Sequence, residues 1–143
     1  MRSYIANIIK PISAGALLLM VMCAMWPHHA LAQDAQTTTR ISAALSNGSA
    51  TVLASLMNNT VALTLPDSDG TYSKKQAEQL IKMFFEQNPV STFTTEHNGT
   101  STDGSCYMIG DLLTTKQKTY RVYVLTKQRE GIDLIHQLQI EAE

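Results

Sequence analysis

The chain is poor in cysteine, in basic runs and in every familiar catalytic fingerprint. Two cysteines occur in 143 residues. Cys23 lies in an apolar leader, so Cys106 stands alone in the remainder and no intramolecular disulfide can form. The domain must therefore stand on packing, and Cys106 reads as a buried strand residue, with an intermolecular disulfide as the alternative. No run of Lys and Arg appears, which argues against a nucleic-acid partner. No P-loop, GxGxxG, GxSxG or HExxH is present, so no cofactor is expected and no nucleophile is marked. Internal repeats and low-complexity segments are missing as well.

What is present begins with an address. Residues 1–10 carry Arg2 and Lys10 with no acid, the apolar run "ISAGALLLMVMCAMW" follows, and "PHHALA" ends in Ala30-Leu31-Ala32. A basic n-region, a short h-region and an A-x-A site make a secretory signal peptide cleaved after Ala32. The apolar run falls short of the roughly 20 residues that a bilayer-spanning helix needs. The expected localisation is secreted or periplasmic, with no stable membrane span after cleavage. The domain plan is a signal peptide over 1–32, a polar tail over 33–39 and one α+β domain over 40–143. Cleavage removes Arg2 and Lys10 and leaves nine cations against twelve carboxylates, a net charge of −3. Three N-x-[ST] sequons, at Asn47, Asn58 and Asn98, matter only in a host that glycosylates exported proteins.

Periodicity then sets the elements. Ile41, Ala44 and Leu45 have helical spacing, Gly48 suits the helix end, and Ser49 suits the N-cap of a second short helix carrying Val52, Leu53, Leu56 and Met57. "TVALTL" alternates as a strand over 60–65, and "PDSDG" reads as a loop. Ser73 followed by Gln76 is a capping box. The helix that it opens buries Ala77, Leu80, Ile81 and Phe84, and stops before Asn88-Pro89. Four strands follow, over 90–97, 105–113, 119–127 and 132–141. Helices followed by a run of strands predict an α+β sheet with helices on one face.

The last hairpin can be set in register. A three-residue loop, Arg129-Glu130-Gly131, pairs Gln128 with Ile132, Thr126 with Leu134 and Val124 with His136. His136 then lies among Leu134, Leu138 and Val124 on the helix-facing side. The opposite face carries Arg121, Tyr123, Leu125 and Ile135, a partly apolar patch on a polar surface.

Short helices, a strand, a helix with "MFFEQNP" and a four-stranded meander resemble the nuclear transport factor 2-like (cystatin-like) cone. More narrowly, Phe84-Phe85, Asn88-Pro89, Phe93, His97-x-Gly99, Tyr107-x-Ile109-Gly110 and Tyr120-Arg121-Val122-Tyr123 are similar to a family of small secreted bacterial domains of unknown function. The resemblance runs from about 41 to 141. It implies N-terminal helices on a curved, mainly antiparallel sheet, and it carries no catalytic residues.

Strand alternation sets His97 on the face of Phe93 and Glu96 on the other, so the Glu96–His97 neighbours do not form a dyad. Pairing Phe93 with Gly110 stands His97 opposite Cys106, a nucleophile arrangement that lacks a third orienting group. His97 and His136 lie on the outer strands of the meander, roughly 14 Å apart in a flat sheet at about 4.8 Å per strand. Shared zinc ligation needs each nitrogen about 2 Å from the ion, so no metal site is expected. The candidate pocket is His136, His97, Phe93 and Val124, and the candidate dimer surface is Tyr123, Leu125, Ile135 and Arg121. The function read from these residues is a non-catalytic ligand-binding or protein-interaction module, with a small molecule, a protein or a second copy as partner. The alternative is a small isomerase- or dehydratase-like acid/base enzyme using a histidine in the cone.

Overall fold

A computed structural model describes residues 29–143; the basic and apolar stretches read from sequence as the front of a signal peptide, residues 1–28, lie outside them. Helix α1 (His29–Ser46) runs through the segment read from composition as a loose tail. It ends in a Schellman motif: the Ser49 amide donates to the Ala44 carbonyl (2.9 Å) and the Gly48 amide to that of Leu45 (3.1 Å). Gly48 is left-handed at φ 59°, which is why the sequence has glycine there. Ser49 then caps α2 (Ala50–Ser55), its side chain accepting from the Val52 amide.

Strand β1 (Met57–Leu65) pairs with β2 (Ser68–Ser73) in a hairpin, with Leu65 opposite Ser68. The "PDSDG" loop reading missed β2. Its pattern is almost wholly exposed or half-exposed, so hydrophobic alternation gave no signal. The capping box closes as expected on α3 (Lys74–Gln87): the Ser73 hydroxyl accepts from the Gln76 amide, and the Gln76 side chain accepts from the Ser73 amide at 3.1 Å. At the other end Asn88 donates twice to the Phe84 carbonyl and accepts from the Tyr120 hydroxyl at 3.1 Å. Tyr120 also meets the Phe84 ring edge-on at 5.1 Å, so one residue pins the helix end to the sheet.

The meander β3 (Val90–Thr100), β4 (Cys106–Thr114), β5 (Thr119–Arg129) and β6 (Ile132–Ala142) follows, all antiparallel. Strand β1 joins β6 in parallel, giving six strands in the order β2-β1-β6-β5-β4-β3. The three helices cover one face. That inner face contributes Val61, Leu63, Met108, Leu112, Val122, Val124, Leu138 and Ile140 to the core, against Ile41, Leu45, Leu53, Ile81, Phe84 and Phe85. Full burial of each large aliphatic side chain contributes about 1.5–3 kcal/mol, so this interlock is the main source of stability.

Candidate functional site

The side chains once grouped as a pocket do not converge. Phe93 and Val124 lie in the core, as alternation predicts. His97 does not share their face. Strand β3 shifts register between Thr95 and His97, so Thr95 faces Gly110 while His97 faces Ile109 and is exposed. The extra residue is Glu96: a β-bulge turns the strand over, and alternation counted from Phe93 fails there. Phe93 pairs with Leu112, and Cys106 pairs with Thr100, so His97 and Cys106 are not opposite each other. Gly110 makes room for this irregularity, since a Cβ there would stand 2.4 Å from the Thr94 carbonyl oxygen and 2.7 Å from the Phe93 ring.

His136 also moves. The hairpin turn is two residues, Glu130 and Gly131, both left-handed at φ 53° and 79°. This conformation matches the twist of the flanking strands. It pairs Arg129 with Ile132, one step away from the three-residue register. A bulge then restores the core alternation: Thr126 faces Ile135, whereas Leu125 faces Gln137. His136 is the extra residue. Ile135 consequently lies in the core, fully buried, and Leu134 takes the outer side opposite Lys127. The expected positions of His136 (inner), Leu134 (inner) and Ile135 (outer) are therefore all corrected by one turn and one bulge.

The His136 ring is half-buried, with Nε2 shielded from solvent and without a hydrogen-bond partner among the described residues. Burial, and then the charges of Lys127 and Arg129, lower its pKa. The imidazolium is thus harder to form in the fold than in the unfolded chain, where the value is about 6.5. Stability is complete above that pH and falls as pH drops through the depressed folded value. Proton titration by NMR should find His136 below the ordinary range, and H136Q should remove its share of the acid-side loss of stability.

The helix-facing side holds almost no empty space. The gap lined by Ile41, Met108, Val124 and Thr126 measures about 10 Å³, at the threshold for a single water. Larger clefts, of about 330 to 570 Å³, open at the surface and are lined by residues other than His136 and His97. One, of about 330 Å³, lies between Thr38–Thr39 and Asn98–Thr100.

The other face of the sheet is different. Arg121, Tyr123 and Leu125 alternate outward on β5, as expected. Their partners are Asp111, Ile109 and Tyr107 on β4, and Glu141, Gln139 and Gln137 on β6. Ile109, Leu113 and Leu134 join Tyr123 and Leu125 as half-exposed apolar residues. The sequence could not assign β4 because both of its faces are apolar; the structure puts Met108 and Leu112 inside and Ile109 and Leu113 outside. At one end Arg121 bridges Asp111 (3.2 Å) and Glu143 (2.7 Å). Hydrogen bonding to Glu143 raises the pKa of the guanidinium further above its ordinary value. Among the described residues no helix covers this face, since the buried residues of the three helices pack with the other side of the sheet.

Among the described residues no helix is long and apolar enough to cross a membrane. Comparison with curated proteins finds no match. Similar solved structures include a DUF4783 family protein from Bacteroides ovatus, 31% identical over 73% of this chain and 93% of that one, with a TM-score of 0.68. Another from Bacteroides uniformis is 25% identical over 73% and 95%, also at 0.68. An NTF-2 like protein of unknown function from Silicibacter pomeroyi is 8% identical over 79% and 95% at 0.56, a likeness of fold alone. Residues 38–141 match the family described as Domain of unknown function (DUF4783), so the chain belongs to that family, built on the nuclear transport factor 2-like fold.

Proposed function

We propose that the protein is a secreted, non-catalytic interaction module whose working surface is the outer face of its sheet, and that its partner there is a second copy of the chain. The observation that carries this is the apolar patch of Ile109, Leu113, Tyr123, Leu125 and Leu134, which lies on the side opposite the helices. Half-exposed apolar residues gathered on one sheet face favour a contact surface over a solvated face. The patch spans β4, β5 and β6, about 14 Å across at ~4.8 Å per strand, so an interface of standard size, about 800 Å² per partner, also takes in the polar rim of the sheet. The packed interior favours surface recognition over ligand enclosure, since a small-molecule pocket needs about 300 Å³ or more. Export rests on the leader: Arg2, Lys10, the apolar run and Ala30-Leu31-Ala32.

A dilution series followed by amide NMR tests the surface. Shifts that depend on concentration should concentrate on residues 107–113, 121–125 and 134–139. Shifts confined to the helices, or none at all across a range where the mass changes, would overturn the proposal.

A further inference from the structure

The sheet has two edges, β2 and β3, and they are built differently. Strand β3 follows Pro89 and is interrupted by its bulge at Glu96, features that discourage an added strand. Strand β2 has neither: its register with β1 runs unbroken from Ser68 to Ser73, and it holds no proline. The two-residue turn makes Leu65 and Ser68 a hydrogen-bonded pair, so by alternation Ser68, Gly70 and Tyr72 bond to β1. Asp69, Thr71 and Ser73 turn their amides and carbonyls to the open side. The Ser73 amide does so visibly, donating to the Gln76 side chain at 3.1 Å. Asp69 and Thr71 keep both main-chain groups for a further strand.

Beside this edge a cleft of about 460 Å³ opens between β2 and α3. Tyr72 forms one wall, on the inner side of the sheet like its partner Val61, and its ring lies 3.5 Å from where a Gly70 Cβ would stand. Half-buried Leu80 forms the other wall, and the exposed Met83 continues the same flank of α3. Ser73 and Gln76, also in the lining, satisfy each other through the capping box. The charge in the lining is Lys75, with Lys74 beside it. Neither takes part in the ion pairs among the described residues, which belong to Arg121. The acids nearest in sequence are turned elsewhere: Glu78 accepts from Thr51 of α2, and Asp69 from Thr64 of β1. Asp67 stands in the turn at the far end of the strand. A strand added to β2 lies about 4.8 Å beyond it, and its residue opposite Tyr72 points the same way, toward the cleft. We propose that β2 and this cleft bind an extended peptide by strand addition, with an apolar side chain of the peptide between Tyr72 and Leu80 and a carboxylate on the same face of the peptide at Lys75. Main-chain bonds give such a complex its affinity, and the cleft gives its selectivity. The site is separate from the outer face of the sheet and does not rest on that reading.

Titrating the isotope-labelled protein with a short synthetic peptide tests this. Threonine fills every second position of the peptide, and the positions between carry valine, a central leucine and then a glutamate. Amide shifts should fall on residues 68–73 and 75–80, and not on 107–113 or 121–125. Thr71→Pro removes an outward amide while leaving the ladder to β1 in place. With an unchanged melting curve, this variant should bind the peptide about tenfold more weakly or worse. Lys75→Glu should also weaken binding, and a peptide with lysine in place of its glutamate should restore it, a swap that does not depend on the proline variant folding. A folded Thr71→Pro variant with wild-type affinity, a charge swap without rescue, or no shifts at the highest soluble peptide concentration overturns the proposal. So does a doubled mass in sedimentation together with the same shifts on changing protein concentration alone, which makes a second copy the occupant of the edge.

Discussion

Replacing Ile135 by glutamate should abolish cooperative folding. Counted from a three-residue loop, this residue belongs on the solvent face, where a carboxylate costs little. The two-residue turn sets it inward opposite Thr126, where it also pairs with Met57 on β1, and its amide donates to the Leu56 carbonyl at 2.8 Å. It is fully buried. Losing an isoleucine from such a site costs about 2–5 kcal/mol even when the replacement is alanine, and an unpaired buried carboxylate adds several kcal/mol more. Against a total stability of about 5–15 kcal/mol for a domain, the sum removes most or all of it. Denaturant melts should show Ile135→Ala as a weakened, still cooperative protein and Ile135→Glu without a native baseline. A folded Ile135→Glu variant would show that the two-residue turn and the bulge are wrong.

That residue also marks the limit of what the chain discloses before it is folded. The α3 helix was legible because its signals are local: Ser73 and Gln76 at capping-box spacing, apolar side chains at helical spacing, and Asn88-Pro89 at the end. The helix end at Gly48 and the N-cap at Ser49 were legible for the same reason. The meander and the cone followed from the order of elements together with the family resemblance. The outer faces of Arg121, Tyr123 and Leu125 were legible because β5 alternates without interruption.

Both histidines were misplaced by a single extra residue. A bulge leaves no strong mark in composition, because it is selected by how two strands must twist past one another. In β3 the nearest trace is Gly110 on the facing strand, which admits the Thr94 carbonyl. In β6 there is no such trace: Leu134, Leu138 and Ile140 alternate inward by simple count and leave only Ile135 outside. Its position depended on the length of the turn, where "EG" fits a two-residue and a three-residue loop alike. Strand β2 was missed because it is an edge strand with little apolar burial, held by its ladder to β1.

These shifts move the functional reading from the interior to the surface. With His136 displaced to the bulge, the inner face is lined chiefly by aliphatic and aromatic side chains, and the gap beneath α1 is about 10 Å³. The outer face, by contrast, gains Leu134 and keeps Tyr123 and Leu125.

Tyr123 stands on the outer face of β5. It is half-exposed and flanked by Ile109 on β4 and Gln139 on β6. In an isolated copy a glutamate here stays in water, so the effect on stability should be within about 1 kcal/mol, as for surface positions generally. In a dimer the same substitution brings two carboxylates together and withdraws them from solvent, without a partner for either. A loss of about 3 kcal/mol or more corresponds to at least a hundredfold weaker association. Sedimentation equilibrium of the wild type and Tyr123→Glu, at matched concentration and with matched melting curves, is the direct test. The account predicts a dimeric wild type and a folded, monomeric variant; a folded variant with the wild-type mass would contradict it.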